Sequence, residues 1–148
     1  MEVRAFTGAD REGLISLWSV CDLLRPWNDP DRDIDGKLDT DPEGLLVLEM
    51  DGVVIGSVMV GYDGHRGWVN YLAVHPAHRA RGVGRLLMAA AEDRLTASGC
   101  PKVNLLVRTS NSAALGFYQR LGYVLDDVVS LGKRLDEGSG ARRRTKNR

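Results

Sequence analysis

The sequence predicts an α/β fold, more closely α+β: a mixed sheet of about six strands with helices packed on it. Three observations carry that expectation. β-rich runs cluster around one strong turn signal in the first half of the chain. Strand-like and helix-like segments then alternate through the second half. The 148 residues, 43% of them hydrophobic, suffice for one ordinary domain with its own core.

Taken in order, Val3 to Phe6 (VRAF) reads as a first short strand. Thr7 offers an N-cap, and Leu14, Ile15, Leu17, Trp18 and Cys21 follow at helical spacing. The next segment, CDLLRPWNDPDRDIDGKLDTDPEG, is acidic and contains prolines, with a short helix expected between Arg32 and Leu38. LLVLEM and VVIGSVMVGYD are strands joined by Asp51-Gly52, a hairpin signal. GWVNYLAV is the third strand of this series. A helix follows over Gly82 to Leu95, with Val83, Leu86, Leu87 and Ala90 on one face and Gly99 beyond its end. KVNLLV is a strand, NSAALGFYQRLG a helix stopped by Gly122, and YVLDDVVSLGKRL a final strand over Tyr123 to Leu135. Antiparallel strands followed by a strand–helix–strand–helix–strand series make a mixed sheet. One domain over residues 1–135 is expected, with a disordered basic tail over residues 136–148.

Charge and cysteine content narrow the function classes. Formal net charge is zero, which disfavours a dedicated nucleic-acid binder. The tail from Asp136 to Arg148 has five cations against Asp136 and Glu137, a net +3, so the body is −3. A short basic terminus of this kind reads as a solvated end. No apolar run approaches a membrane span, and MEVRAFTGAD is no signal peptide. Two cysteines, Cys21 and Cys100, imply neither a disulfide framework nor a zinc site. A cytoplasmic protein with no membrane and no nucleic-acid partner is expected, and a homodimer is left open.

The chemistry begins at HPAHRARGVGRLL, His75 to Leu87, where a strand becomes a helix. A dinucleotide fingerprint fails because its third glycine position falls on Leu87, and a P-loop fails because no G-K-[ST] follows. What remains is Arg79-x-x-Gly82-x-Gly84 directly before a helix. The first helical N–H groups have no intrahelical partners, the helix dipole is positive there, and glycines clear the approach. This is a credible pyrophosphate cradle. Its plainer alternative is a basic loop whose glycines only pack helix against strand. Downstream, SNSAALGFYQRLGY (Ser110 to Tyr123) has Ser110 or Asn111 as a cap, an apolar face of Ala114, Phe117, Tyr118 and Leu121, and Gly122 as the left-handed stop.

These two motifs, in this order and each after a strand, resemble the GNAT family of acetyl-CoA-dependent N-acetyltransferases. The resemblance covers roughly Val3 to Leu135 and is strongest from Trp68 to Tyr123. It implies a mostly antiparallel sheet with helices on both faces, and acetyl-CoA as co-substrate without a metal. The pyrophosphate of coenzyme A would lie on Arg79, Arg81, Gly82 and Gly84, with the N–H groups around Val83 to Arg85. Leu72, Ala73 and Val74 would hydrogen-bond the pantetheine amides like an added strand. Asn111 and Ala114 would contact the cofactor, and Tyr118 would lie by the thioester sulfur as the catalytic acid. The implied reaction is direct attack of an amine, from a small molecule or peptide, on the acetyl carbonyl. Backbone N–H groups near Ala73 would polarise that carbonyl.

The base is not carried over, because WVNYLAV lacks the strand glutamate that some family members use. Asp63 and His65, or Asp22 and Asp29, are candidates, although Asp63-Gly64 is also good turn chemistry and Asp29-Pro30 a good helix start. Cys21 and Cys100 read as small buried hydrophobes, since direct transfer needs no nucleophile. His75 and His78 lack a third ligand at metal spacing. Arg25, Trp27 and Asn28, in an irregular loop that no periodicity explains, are expected with Asp63 and His65 on the acceptor side. The acids Asp22, Asp29, Asp31, Asp33 and Asp35 suggest a field favouring a cationic amine. A coenzyme A-binding module without turnover is the alternative from another class.

Overall fold

A computed structural model of the protein describes residues 1–136. The chain divides into two compact units, Met1–Leu105 and Leu106–Arg148. Apart from Asp136, the expected basic tail lies outside the described residues.

The first unit is built on a five-stranded sheet in the order β1 (Val3–Ala5), β2 (Leu45–Met50), β3 (Val53–Tyr62), β4 (Gly67–Val74), β5 (Val103–Leu105). The first four strands are antiparallel neighbours and β5 runs parallel to β4. β2 and β3 join through Asp51 and Gly52, both left-handed with φ of 51° and 79°, the hairpin geometry that matches strand twist. Helices α1 (Arg11–Val20) and α2 (Pro30–Thr40) cover one face, placing Leu14, Leu17, Trp18 and Ile34 in a core with Leu45, Val47 and Ala73. Helix α3 (Val83–Ala97) covers the other face. A Cβ on Gly56 of β3 would stand 2.9 Å from Leu87 and 3.1 Å from Val83 of that helix.

Local chemistry sets the helix limits. Thr7 donates its N–H to Asp10 Oδ2 at 2.8 Å, and the 3-10 turn this closes precedes α1. Arg4 reaches the same buried carboxylate at 2.8 and 2.9 Å, holding Asp10 below the usual carboxylate range. Helix α2 is longer than the Arg32-to-Leu38 segment expected, because Asp29 accepts the Arg32 N–H and Pro30 takes the first turn. On α3 the buried stripe is Val83, Leu87, Met88, Ala91 and Leu95. Leu86, expected inside, is 41% exposed, since the helix rests on the sheet along the i, i+4 row from Val83.

One hydrogen-bonded chain ties α1 to the middle of the sheet. Ser57 pairs with Ala73 and Met59 with Asn70, so Tyr71 and Leu72 together oppose Val58 and β4 carries a bulge. Tyr71 takes φ of 54° there, a left-handed backbone that is uncommon for a bulky residue. The buried Ser57 hydroxyl donates to the Tyr71 carbonyl at 2.8 Å and accepts the Trp18 indole N–H at 3.0 Å. The Trp18 ring stacks on the Tyr71 ring, centroids 3.8 Å apart.

In the second unit, helix α4 (Ser112–Arg120) is capped by Asn111, whose side chain accepts the Ala114 N–H at 3.0 Å. It closes at Gly122, which is left-handed at φ of 100°. The expected final strand is not formed: residues 123–136 carry no strand, and Val124, Val128, Leu131 and Leu135 are exposed. β-rich composition describes fitness for a pleated neighbour rather than a backbone state, and no ladder pairs this segment.

Ser57→Ala should lower stability by about 1–3 kcal/mol, because it strands the buried Trp18 N–H and the Tyr71 carbonyl together. Chemical denaturation measures this; a variant as stable as the parent would remove the serine from the support of the bulge.

Candidate active site

Three features of the first unit meet along β4. The β4–β5 ladder consists of Gly67 with Val103, Trp68 with Asn104 and Val69 with Leu105. On its other side β4 stays paired with β3 as far as Val74. Asn70 to Val74 therefore pair with no strand on the β5 side among the described residues, and this side of β4 is an open edge. The bulge at Tyr71 falls where that edge begins. Leu72, Ala73 and Val74, expected to bind pantetheine, lie along it.

The edge leads into the arginine loop. Arg79 Nε donates to the Val74 carbonyl at 2.9 Å, and Cys21 at the end of α1 donates its thiol to the same oxygen at 3.3 Å. Arg79 Nη2 stands 3.5 Å from that sulfur. The loop is thus fastened to the end of β4, with His75 Nδ1 accepting the Ala77 N–H at 3.1 Å inside its turn. Ala80 and Gly82 are left-handed, φ 64° and 82°, and Gly82 is the N-cap of α3. A Cβ on Gly82 would meet no protein atom within 4 Å, so the space over the helix start is open. The N–H groups of Val83, Gly84 and Arg85 precede any helical acceptor.

The electrostatics there are one-sided. The first turn of α3 has no acidic residue, whereas Arg79, Arg81 and Arg85 are exposed around it. Helix N-termini favour carboxylates, and cations are unfavourable at the positive end of the dipole. Arginines gathered at this end add to the positive end of the dipole with no acid in the first turn to offset them, and the open N–H groups and guanidinium forks suit a pyrophosphate. The residues present fit coenzyme A: an edge to pair with its amides, then a cradle for its phosphates.

The acceptor-side candidates divide. Arg25 pairs with Asp22 at 3.2 Å, and the Asn28 N–H donates to the Arg25 carbonyl at 2.9 Å, closing the turn between α1 and α2. Trp27 in that turn is 44% exposed. Asp63 is occupied at both oxygens. Oδ1 accepts the His65 and Arg66 N–H groups at 2.8 and 2.7 Å, and Oδ2 accepts the Trp68 indole at 3.2 Å. These bonds hold its carboxyl below the usual range and make it the turn-former of the β3–β4 hairpin. Asp29 likewise caps α2 at 3.2 Å. Among the described residues no group of three His, Cys, Asp or Glu side chains could hold a metal, and no helix is long and apolar enough to cross a membrane.

In the second unit Asn111 and Ala114 form the start of α4, and Tyr118 lies on its last turn. The Tyr118 ring packs edge-on against Phe117 and Tyr123, with centroids 5.2 and 5.8 Å away. Burial pushes its phenol up to about 12, so at neutral pH the hydroxyl keeps its proton.

Two features had no signature in the sequence. One is the Cys21–Val74–Arg79 fastening, which joins residues 53 and 58 positions apart. The other is Tyr71, whose phenol donates to Asp33 Oδ2 at 2.6 Å. Tyr71 alternates like any strand residue, and only its backbone angle sets it apart.

Residues 12–123 match the family described as the acetyltransferase (GNAT) family. The chain is 53% identical over 135 residues to an acetyltransferase of Yersinia enterocolitica, covering 91% of this chain and 96% of that one. It is also 53% identical over 137 residues to an acetyltransferase of Pectobacterium atrosepticum, covering 93% and 97%. The solved structure of AAC(6')-Iy in complex with a bisubstrate analogue, CoA-S-monomethyl-acetylneamine, shares the fold. Its TM-score is 0.73 at 23% identity, with 90% of this chain and 97% of that one covered. An open strand edge running into an arginine-flanked helix start, on a sheet of this order, agrees with those likenesses, and the chain belongs to the acetyltransferase (GNAT) family.

Proposed function

We propose that the protein transfers the acetyl group of acetyl-CoA directly to a primary amine of a small molecule or peptide, within a ternary complex. The observation that carries this reading is the unpaired edge of β4, continuous with an acid-free, arginine-ringed helix N-terminus. That combination binds an amide-containing arm and a pyrophosphate in one line. The stretches CDLLRPWNDP and VGYDGHRG also resemble those of the bacterial acetyltransferase YpeA.

In this reading Leu72 to Val74 pair with the pantetheine amides. The N–H groups of Val83 to Arg85, with Arg81 and Arg85, take the pyrophosphate. Arg79, with Nε on Val74 and Nη2 at Cys21, fixes the loop in place and has Nη1 left to donate to the phosphates. A backbone N–H near Ala73 polarises the acetyl carbonyl. The amine nitrogen attacks that carbon, the carbon–sulfur bond breaks, and the leaving thiolate takes the Tyr118 phenol proton. Asn111 and Ala114 complete the cofactor side. Arg25, Trp27 and Asn28, with His65 and Asp63 of the hairpin turn, border the acceptor. The arriving ammonium releases one proton to water before attack, since an alkylamine has a pKa of about 10.4, and the second N–H proton, lost as the amide forms, returns to the Tyr118 phenolate.

Release of free thiol from acetyl-CoA with a panel of amines and peptides tests the whole reading. Coenzyme A binding with no thiol release from any amine would leave a binding module in its place. Gly84→Glu should weaken coenzyme A affinity by at least about tenfold while the fold survives, since it sets a carboxylate where the phosphates would lie. Calorimetry with unchanged affinity in the folded variant would move the cradle elsewhere. Tyr118→Phe should lower kcat by about ten- to a hundredfold with little change in coenzyme A affinity. With the phenol's pKa raised to about 12, the acid form persists as pH rises. The parent's kcat should therefore show no alkaline decline up to about pH 10 from this group. Trp27→Ala should raise the KM for the amine while leaving coenzyme A affinity and the melting temperature nearly unchanged. A large loss of melting temperature with normal kinetics would make Trp27 a loop anchor.

A further inference from the structure

The acids of the α1–α2 region do not act as one diffuse field. Arg11 bridges Asp31 at 2.9 Å and Asp35 at 2.6 Å. Asp22 is paired with Arg25, and Asp29 is the cap of α2. Of Asp22, Asp29, Asp31, Asp33 and Asp35, Asp33 alone is neither opposed by a cation nor used as a cap. It lies one helical turn before Lys37, whose ammonium is committed to the Val60 carbonyl at 2.6 Å and to Asp41 at 3.4 Å.

Asp33 is instead held by the sheet. The Tyr71 phenol donates to its Oδ2 at 2.6 Å, while Oδ1 has no hydrogen-bond partner among the described residues. The phenol O–H orients the carboxyl group through Oδ2 and leaves Oδ1 to accept another donor. Tyr71 is in turn fixed by the stacked Trp18 ring and by Ser57. It is also the residue at which β4 bulges, immediately before Leu72 to Val74 of the open edge. The carboxylate is thus tied, through one side chain, to the segment of backbone that would carry the acetyl group. It lies on the α1–α2 face of the sheet, opposite α3 and its phosphate-binding end.

We propose that Asp33, positioned by Tyr71, is the specificity-determining residue that binds the acceptor as a cationic primary amine. The assignment rests on the acetyl-transfer reading and adds to it the acceptor's charge and the residue that reads it. The free Oδ1 receives an N–H of the ammonium, and the bulge sets that nitrogen beside the open edge from a direction the cofactor does not use. Tyr71 is a positioning residue, acting only through the carboxylate it holds.

The test compares binding of isosteric pairs differing in charge: butylammonium with butanol, and benzylammonium with benzyl alcohol. Each is titrated calorimetrically into the full-length protein with coenzyme A present. The parent should prefer each ammonium by at least about tenfold, the scale of one charge-assisted hydrogen bond. Asp33→Asn should abolish the preference, Asp33→Glu should retain part of it, and Tyr71→Phe should reduce it without removing it. Loss of stability in a variant would weaken both members of a pair and leave their ratio unchanged, so the ratio separates recognition from folding. Equal binding of ammonium and alcohol by the parent, or an intact preference in Asp33→Asn, would overturn the proposal. Because the readout is binding, its failure is distinct from failure of the thiol-release assay, which tests acetyl transfer itself.

Discussion

Tyr71 holds a left-handed backbone that costs an aromatic residue about 1–2 kcal/mol, and the shape of the open edge of β4 depends on keeping it there. The bulge it creates inserts one residue into β4 against β3, and an inserted residue increases twist and turns the strand. Beyond that point β5 no longer follows, and the edge is open. Three contacts meet the cost: the Ser57 hydroxyl on the Tyr71 carbonyl, the Trp18 ring on its face, and Asp33 on its hydroxyl. Each comes from a different element, β3, α1 and α2, so the two helices on this face are fixed by the same residue that shapes the strand. Removal of any one contact leaves a polar group or a ring face without its partner, at greatest cost around Ser57 and Trp18, which are fully buried.

The arginine loop shows a complementary economy. Its conformation is set by left-handed turns at Ala80 and Gly82 and by the tether of Arg79 to Val74 and Cys21. The loop is therefore held by backbone geometry and a few internal hydrogen bonds around Val74, Cys21 and His75. Arg81 and Arg85 need no part in holding it. A loop ordered this way loses little conformational freedom when an anion arrives, so its charges act on the ligand rather than on the fold. Cys21 has its place in this arrangement as a thiol donor at the end of α1, consistent with a structural residue rather than a nucleophile.

Much of this was legible in the sequence, for reasons that differ by element. The Asp51-Gly52 hairpin and the Asp29-Pro30 helix start are local chemistry, so reading them needed no knowledge of the fold. The strand-to-helix passage at Arg79 to Gly84 was legible because glycines and like charges at a helix start violate ordinary preference. The segment over residues 123–136 shows the opposite case: its β-rich apolar residues state a preference for pairing, and pairing is a property of two segments. The buried stripe of α3 was displaced from the one expected because crossing angle, not the amphipathic pattern alone, selects which row faces the sheet.

The acids of α2 illustrate why charge counts are a weak guide to recognition. Five carboxylates within fourteen positions suggest an attractive field, yet the structure shows most of it cancelled at short range by Arg11 and Arg25 or spent on a cap. Screening reduces what remains at distances beyond about 8–10 Å. A ligand therefore senses the carboxylate that is left uncompensated and held in one direction. The Tyr71 hydroxyl supplies that direction at Asp33, and it does so from a residue whose own backbone is fixed by the sheet. In the proposed reading, selectivity for charge and the geometry of the strand that would carry the acetyl group both follow from one bulge, so a substitution that relaxes Tyr71 is expected to alter both together.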